Sequence, residues 1–360
     1  MKDALVCLAA GKSQIPIILA AKNLGYTVIA IDIDPNAPGF SHADNRVIHS
    51  THDAKGVIDG LEFLNDKMAE KYRWVGVLNR SSGPAVVTAA KICERFGIPG
   101  VPVESAQVLL NKDIMRDVCS KLGIPSPNYQ LLKKYQIPLL AADDYPIVVK
   151  PALSMIGKSG ISVVRNESEL SEAITYASEC TVNDRLVLEK YLPGADLSFI
   201  SFVERGEVHS ICYLDEINSE DSRGRVFGKG FKTHTPVAIY DFKEKARVIA
   251  DSIVGGLGLM RSPFMVSFRS DHDGNLFLME VHLDLGGDLL IEKLFPKALN
   301  VNFPELAVQM AAGSVKLPIS INVLPCAVIF EDGAGLVSEK NCCVISADSQ
   351  DQLEILIDGR

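Results

Sequence analysis

At 360 residues the chain exceeds what one hydrophobic core usually organises, so two or three domains are expected. Hydrophobic residues make up 47% and charged residues 22%, the balance of an ordinary globular protein and not of a disordered or fibrous one. A formal net charge of -9 without a basic stripe excludes the electrostatic footprint that a nucleic-acid backbone needs, so an anionic small ligand would have to be met by local lysines.

The first residues enter a strand-like run at once, without the basic flank, apolar stretch and small-residue cleavage site of a secretion signal. Nowhere do about 18 apolar residues follow one another, the length a membrane helix needs. The eight cysteines, at 7, 93, 119, 180, 212, 326, 342 and 343, form no Cys-x-x-Cys pair and have no histidines at zinc-finger spacing. They read as buried thiols of a reducing compartment, and a cytoplasmic protein with no membrane partner is the expectation.

In chain order, residues 4 to 8 (ALVCL), 27 to 32, 46 to 49 and 74 to 78 are β-branched runs that predict strands, while 14 to 24, 53 to 70 and 84 to 96 predict helices. Strand-helix alternation of this kind argues a doubly wound parallel sheet. Pro16 near the start of the first helix and Gly25 after its end fit the usual asymmetry of helix termini. Arg80-Ser81-Ser82-Gly83-Pro84 falls between a strand end and a helix, where open α/β sheets bind ligands, and is a candidate contact for an acceptor or donor. The Gly- and Pro-rich segment 97 to 105 (GIPGVPVES) predicts a domain boundary, followed by a helix from Ala106 to Leu122 that Gly123, Pro125 and Pro127 terminate.

Strands are predicted at 146 to 150, 160 to 164 and 185 to 190, with a helix at 167 to 177. Longer strands then run to 283 around a helix at 241 to 257, in an alternation that suits a mixed or antiparallel sheet. From about 318 only short strand signals remain. The resulting division is 1 to 105, 106 to 186, 187 to 312 and a strand-rich segment from 313 to 360.

Within VVKPALSMIGKSGISVV (148 to 164), Ala152-x-x-x-x-Gly157-Lys158-Ser159 satisfies a relaxed Walker A pattern, which requires a helix after it. Gly160-Ile161-Ser162-Val163-Val164 alternates like a strand instead. The segment therefore predicts a hairpin flap whose backbone N–H groups and Lys158 cover phosphates, with Lys150 beside it on the first strand. Lys229 and Lys232, in FGKGFKTH, lie in a polar stretch that reaches either a γ-phosphate or substrate, or only solvent. In RSDHDGN, Asp271 and Asp273 read as hairpin-turn residues.

Taken together, NKDIMRDVCSKLGIPSP (111 to 127), the flap, LVLEKYLPGADLS (186 to 198) and FRSDHDGNLFLMEVHLDLGGD (268 to 288) resemble the ordered motifs of the ATP-grasp superfamily. AAGKSQIPIILAAKNLGY, IDIDP and HADNRVI resemble the preceding domain of its biotin-carboxylase-like and amino-acid-ligase branches. The fold so implied is α/β: an N-terminal doubly wound parallel-sheet domain, then a two-part ATP-grasp domain with mixed or antiparallel sheets. The resemblance implies ATP and Mg²⁺ as cofactors. Lys112, Lys150 and Lys158 would hold phosphates; Glu189, Lys190, Tyr191 and Leu192 would form the adenine edge; Asp196 would contact the ribose.

Relatives usually end the metal strand with Glu-x-Asn-x-Arg, and here it reads Glu280-Val281-His282-Leu283-Asp284. Period-2 spacing would place Glu280, His282 and Asp284 on one face as metal ligands, and an imidazole suits Mn²⁺ better than Mg²⁺. His282 and Asp284 could equally be a hydrogen-bonded brace. Ser267 stands where the other carboxylate ligand is expected. The implied activity is an ADP-forming carboxylate-amine ligase with Lys158, Lys229 and Asp284 in catalysis, small-molecule carboxylate and amine substrates, and room for a homodimer. The alternatives are a nucleotide-binding protein that has lost catalysis and a biotin-dependent carboxylase; the absence of an arginine at 284 speaks against the second.

Overall fold

The structure, a computed structural model, describes residues 1–154, 157–233, 240–287, 289–331 and 342–358. Residues 155 and 156 of the flap and residue 288 of the last motif lie outside these. The first part alternates β1 (Lys2–Leu8), α1 (Ile15–Asn23), β2 (Thr27–Asp32), β3 (Asn45–Ile48), α2 (Ala54–Lys67), β4 (Tyr72–Asn79) and α3 (Pro84–Phe96). Its strands are all parallel in the order β3-β2-β1-β4, as the alternation predicts. Because helices cover both faces of this sheet, β1 reads as a continuous apolar run, and Ala4 to Leu8 are fully buried.

The single helix expected over 106 to 122 is two: α4 (Val103–Leu110) and α5 (Lys112–Lys121). Asn111 between them is extended, with φ -102° and ψ 112°, and the N–H of Lys112 donates to the carbonyl of Ala152 at 2.9 Å. The break places Lys112 on the first turn of a new helix, against the chain that leads into the flap.

A four-stranded antiparallel sheet follows, made of β5 (Tyr129–Lys133), β6 (Ile147–Pro151), β7 (Ser162–Val164) and β8 (Arg185–Lys190) in the order β5-β8-β6-β7, with α6 (Glu167–Cys180) packed on it. Strand β8 lies between β5 and β6, so residues through Lys190 belong to this sheet. Residues 162 to 164 are strand, paired with β6, so the segment after Ser159 is not the helix of a Walker loop.

The remaining chain builds one seven-stranded antiparallel sheet, β13-β12-β9-β10-β11-β14-β15. Its strands are β9 (Ala195–Glu204), β10 (Glu207–Glu220), β11 (Val226–Thr233), β12 (Arg261–Ser270), β13 (Leu276–His282), β14 (Cys326–Phe330) and β15 (Cys342–Ser346), with helices α7 (Tyr240–Leu257), α8 (Phe295–Ala298), α9 (Phe303–Ala312) and α10 (Gln350–Asp358). The segment from 313 is thus not separate: β14 pairs with β11 through Gly230, Phe231 and Lys232. One face of this sheet packs on α7 through Phe199, Phe264 and Phe268. The other shares a core with α8, α9 and the N-terminal domain, in which Ile200, Phe202 and Leu214 meet Leu5, Ile17 and Leu306.

Candidate active site

Toward the flap, that second face changes from apolar to polar. Along β9, alternate residues Asp196 and Ser198 continue the row of Ile200 and Phe202. On β10, Glu216 and Asn218 continue from Leu214. Register places Ser267 of β12 between Ser198 of β9 and Glu280 of β13. Three lysines reach this polar end, each ion-paired with a glutamate.

Lys112, from the first turn of α5, lies 3.0 Å from Glu280 Oε1, and His282 Nε2 lies 3.3 Å from Glu280 Oε2. Burial pushes the Glu280 carboxyl up, but Lys112 and His282 outweigh it and hold it well below the ordinary value. Burial acts to lower the His282 pKa, and the Glu280 carboxylate more than reverses this.

Lys150 and Glu189 occupy a different setting from the one the sequence implied. Lys150 is only 3% exposed and Glu189 1%, and they meet at 2.5 Å. The fully buried Arg116 completes the group: its Nε donates to Glu189 Oε1 at 3.0 Å and its Nη2 to the carbonyl of Met279 at 3.1 Å. The Glu189 side chain is therefore clamped in the interior between two cations. Its neighbours are positioned otherwise, Lys190 being exposed and Tyr191 and Leu192 half-buried. Burial is the largest influence on both clamp partners, lowering the pKa of Lys150; for Glu189 the two cations overcome it and bring the carboxyl below its ordinary value.

Lys158 enters from the flap with φ 61°, and its ammonium lies 2.6 Å from Glu216 Oε2. The other oxygen, Oε1, accepts from Ser198 Oγ at 2.5 Å and from Ser267 Oγ at 2.9 Å. Asp196 is held by Arg269, whose Nη1 lies 2.9 Å from both carboxylate oxygens, and by the Asn218 amide at 2.8 Å. Arg269 also donates to the Leu192 carbonyl and lies over the Tyr191 ring at 5.2 Å, so it ties the linker after β8 to the acidic residue expected at the ribose.

Lys229, Lys232 and Arg80 lie apart from this group, and Asp284 lies at its edge, near enough to His282 for each to act on the other's charge. Strand β13 ends at His282, so the spacing that aligns Glu280 with His282 does not extend to Asp284. Asp284 is buried in the following turn, where Oδ1 accepts from the N–H of Gly286 at 2.8 Å, and burial raises its carboxyl above the ordinary value. Lys229 falls where the β10-β11 register slips, with its ammonium 5.9 Å from the Phe227 ring centroid. Lys232 is tethered to the C-terminal helix, 2.6 Å from Glu354. Arg80 is a buried clamp: it pairs with Glu292 and donates to the carbonyls of Ser13 and Gly286.

Arg116, Glu216, Ser198 and Arg269 escaped the sequence reading. A signal existed for Arg116 and Glu216, each a charge on an otherwise apolar face, beside Met115 and Cys119 on α5 and in line with Leu214 on β10. The relation between Glu216 and Ser267 has no local signal, because it crosses β9. Among the described residues no three His, Cys, Asp or Glu side chains form a ready cage for a metal ion. The oxygen donor of Glu280, beside Lys112, fits a hard divalent cation that completes its shell with phosphates and water.

A family model described as "D-ala D-ala ligase C-terminus" matches residues 118–282. The chain is 31% identical over 274 residues to a formate-dependent phosphoribosylglycinamide formyltransferase of Erythrobacter litoralis (strain HTCC2594), covering 73% of this chain and 67% of that one. It is 26% identical to the protein of that name from Synechococcus sp. (strain CC9902), covering 73% and 66%. Among curated relatives of that name, the share of their length that the chain spans falls as low as 42%. Of solved structures, an L-amino acid ligase from Bacillus licheniformis superposes with a TM-score of 0.76 at 18% identity, over 100% of this chain and 97% of that one. An N5-carboxyaminoimidazole synthetase from Staphylococcus aureus superposes with a TM-score of 0.74 at 15% identity, over 99% and 96%. The order of motifs, the two antiparallel sheets around the lysine cluster and these likenesses agree: the chain belongs to the ATP-grasp superfamily.

Proposed function

We propose that the protein is an ATP-dependent ligase that activates a carboxylate as an acyl phosphate and passes the acyl group to an amine or similar nucleophile. The observation that carries this reading is that Lys112 and Lys158 pair with Glu280 and Glu216 at the polar end of the large sheet, with Lys150 near enough to act on the charge of Glu280. Three ammonium groups in a half-buried place are what a triphosphate requires, and glutamates hold them there until it arrives. The S. aureus relative was solved with ADP, and a Hydrogenobacter thermophilus biotin carboxylase domain with MgADP, which supports ATP and Mg²⁺ here.

A carboxylate is a poor acyl donor because its charge is delocalised. In the proposed reaction one of its oxygens attacks the γ-phosphorus of ATP and ADP leaves; the nucleophile then attacks the acyl carbon, phosphate leaves, and the amine proton goes to solvent. Lys112, Lys150 and Lys158 offset the charge that moves onto the leaving ADP, a contribution of position and electrostatics. A divalent cation held at Glu280 would add charge neutralisation at the β- and γ-phosphates. The flap that carries Lys158 keeps water from the acyl phosphate.

The test is ADP and phosphate release over pooled small carboxylates, amino acids and amino sugars, beginning with formate because the relatives' names print it. ADP release that requires both a carboxylate and a nucleophile is the expected result. ADP binding without release in any pool would overturn the ligase reading in favour of a nucleotide-binding protein without turnover, the reading that Ser267 favours.

A further inference from the structure

The carboxylate missing from position 267 is replaced in space. Glu216 crosses from β10 over β9 so that its carboxylate lies against Ser267, the residue whose register partner is Glu280. Oε1 is fixed from two sides by the hydroxyls of Ser198 and Ser267, and among the described residues Oε2 is paired with the flap lysine. Glu216 has a side-chain exposure of 9%, against 28% for Lys158. The two serines are what admit it. A glutamate at 267 would set a second carboxylate against Oε1, and two buried carboxylates in contact do not both stay ionised.

We propose that Glu216 is the second carboxylate of the cation site, delivered from β10 in place of a ligand on β12, and that Lys158 covers its Oε2 until a nucleotide arrives. This rests on the ligase reading. Phosphates entering under the flap draw Lys158 toward themselves, and Oε2 is uncovered at the same moment as the β- and γ-oxygens appear beside Glu280. Mg²⁺ or Mn²⁺ needs only one or two carboxylates when phosphates supply the remaining oxygens, so two glutamates suffice without a third protein ligand. Cation and nucleotide binding are coupled by this exchange: the lysine that leaves Glu216 is the one that the phosphate takes.

The test follows Mn²⁺ by electron paramagnetic resonance with the whole protein and saturating ADP, and metal-free ADP binding by calorimetry. Glu216→Gln keeps the shape and the serine contacts while removing the charge. It is expected to weaken Mn²⁺ in the ADP complex by about tenfold to a hundredfold, with metal-free ADP binding at least as tight as before. The double variant Glu216→Ser/Ser267→Glu moves the carboxylate to β12 and is expected to recover Mn²⁺ binding; it also decides the matter should Glu216→Gln fail to fold. Mn²⁺ affinity unchanged in folded Glu216→Gln, or a folded double variant that binds ADP without Mn²⁺, overturns the assignment alone. No ADP binding by the unaltered protein overturns the ligase reading and this assignment with it.

Discussion

Lys150 shares a dry site with Glu189 and Arg116, so its replacement is felt in two ways. Lys150→Met should weaken ADP by about tenfold to a hundredfold, the worth of one charge-assisted contact. It should also lower stability by about 1–3 kcal/mol, because Glu189 keeps only one of its two cations. Parallel ADP titration and thermal melting check both; an unchanged ADP dissociation constant would remove Lys150 from the site. On β1, burial pushes the Cys7 thiol from 9.0 up to about 12. The folded protein keeps this proton where the unfolded chain loses it, so the contribution is intact below pH 9.0 and is lost as pH rises toward about 12. Cys7→Ala should therefore flatten the fall in unfolding free energy between pH 9 and 11 by up to about 1.4 kcal/mol per pH unit, read by urea denaturation.

Motif order singles out Lys112, Lys150 and Lys158, and each of them is ion-paired with a glutamate, on the large sheet for Lys112 and Lys158 and on the four-stranded one for Lys150. The burial of Glu189 was not legible, because nothing near it in sequence shows that the helix opposite carries Arg116 on its buried side. The turn that holds Asp284 was not legible, because strict alternation gives no sign that β13 stops at His282.

At the scale of elements, the flap was read correctly as strand after Ser159, since Ser162-Val163-Val164 has the pattern of a pleated edge and none of a helix. The break at Asn111 was not read. Apolar periodicity runs through it, and only the bond from Lys112 to the Ala152 carbonyl shows that the chain turns there. The linker from β8 to β9 depends on Gly194, at φ 146°, where a Cβ would fall 1.5 Å from the carbonyl oxygen of Ser270. An L side chain is strained in that backbone region and here also collides with main chain. Gly194→Ala should cost about 2 kcal/mol or more and weaken ADP binding by shifting Tyr191 and Leu192; melting at wild-type temperature would contradict the close approach.

For the whole molecule, the sequence indicated two sheets after a parallel domain and a strand-rich segment from 313, but not the partners of its strands, because antiparallel partners far apart in sequence leave no periodic trace. Strands β14 and β15 of that segment extend the large sheet past β11. Phe330 of β14 meets Phe231 of β11 with ring centroids 6.3 Å apart, and Cys326 and Val328 enter the core that also holds Leu5 and Ile17. A chain ending at residue 323 should lose the cooperative melt of the entire protein, not only of its C-terminus, and scanning calorimetry distinguishes the two.

The central claim is that a carboxylate oxygen becomes a phosphate oxygen. With the carboxylate that supports ADP release labelled with oxygen-18, mass spectrometry of the liberated phosphate reads this directly. One labelled oxygen per phosphate is the predicted result. Phosphate that carries its new oxygen from water, with the label retained in the carboxylate or its product, would contradict the acyl-phosphate account.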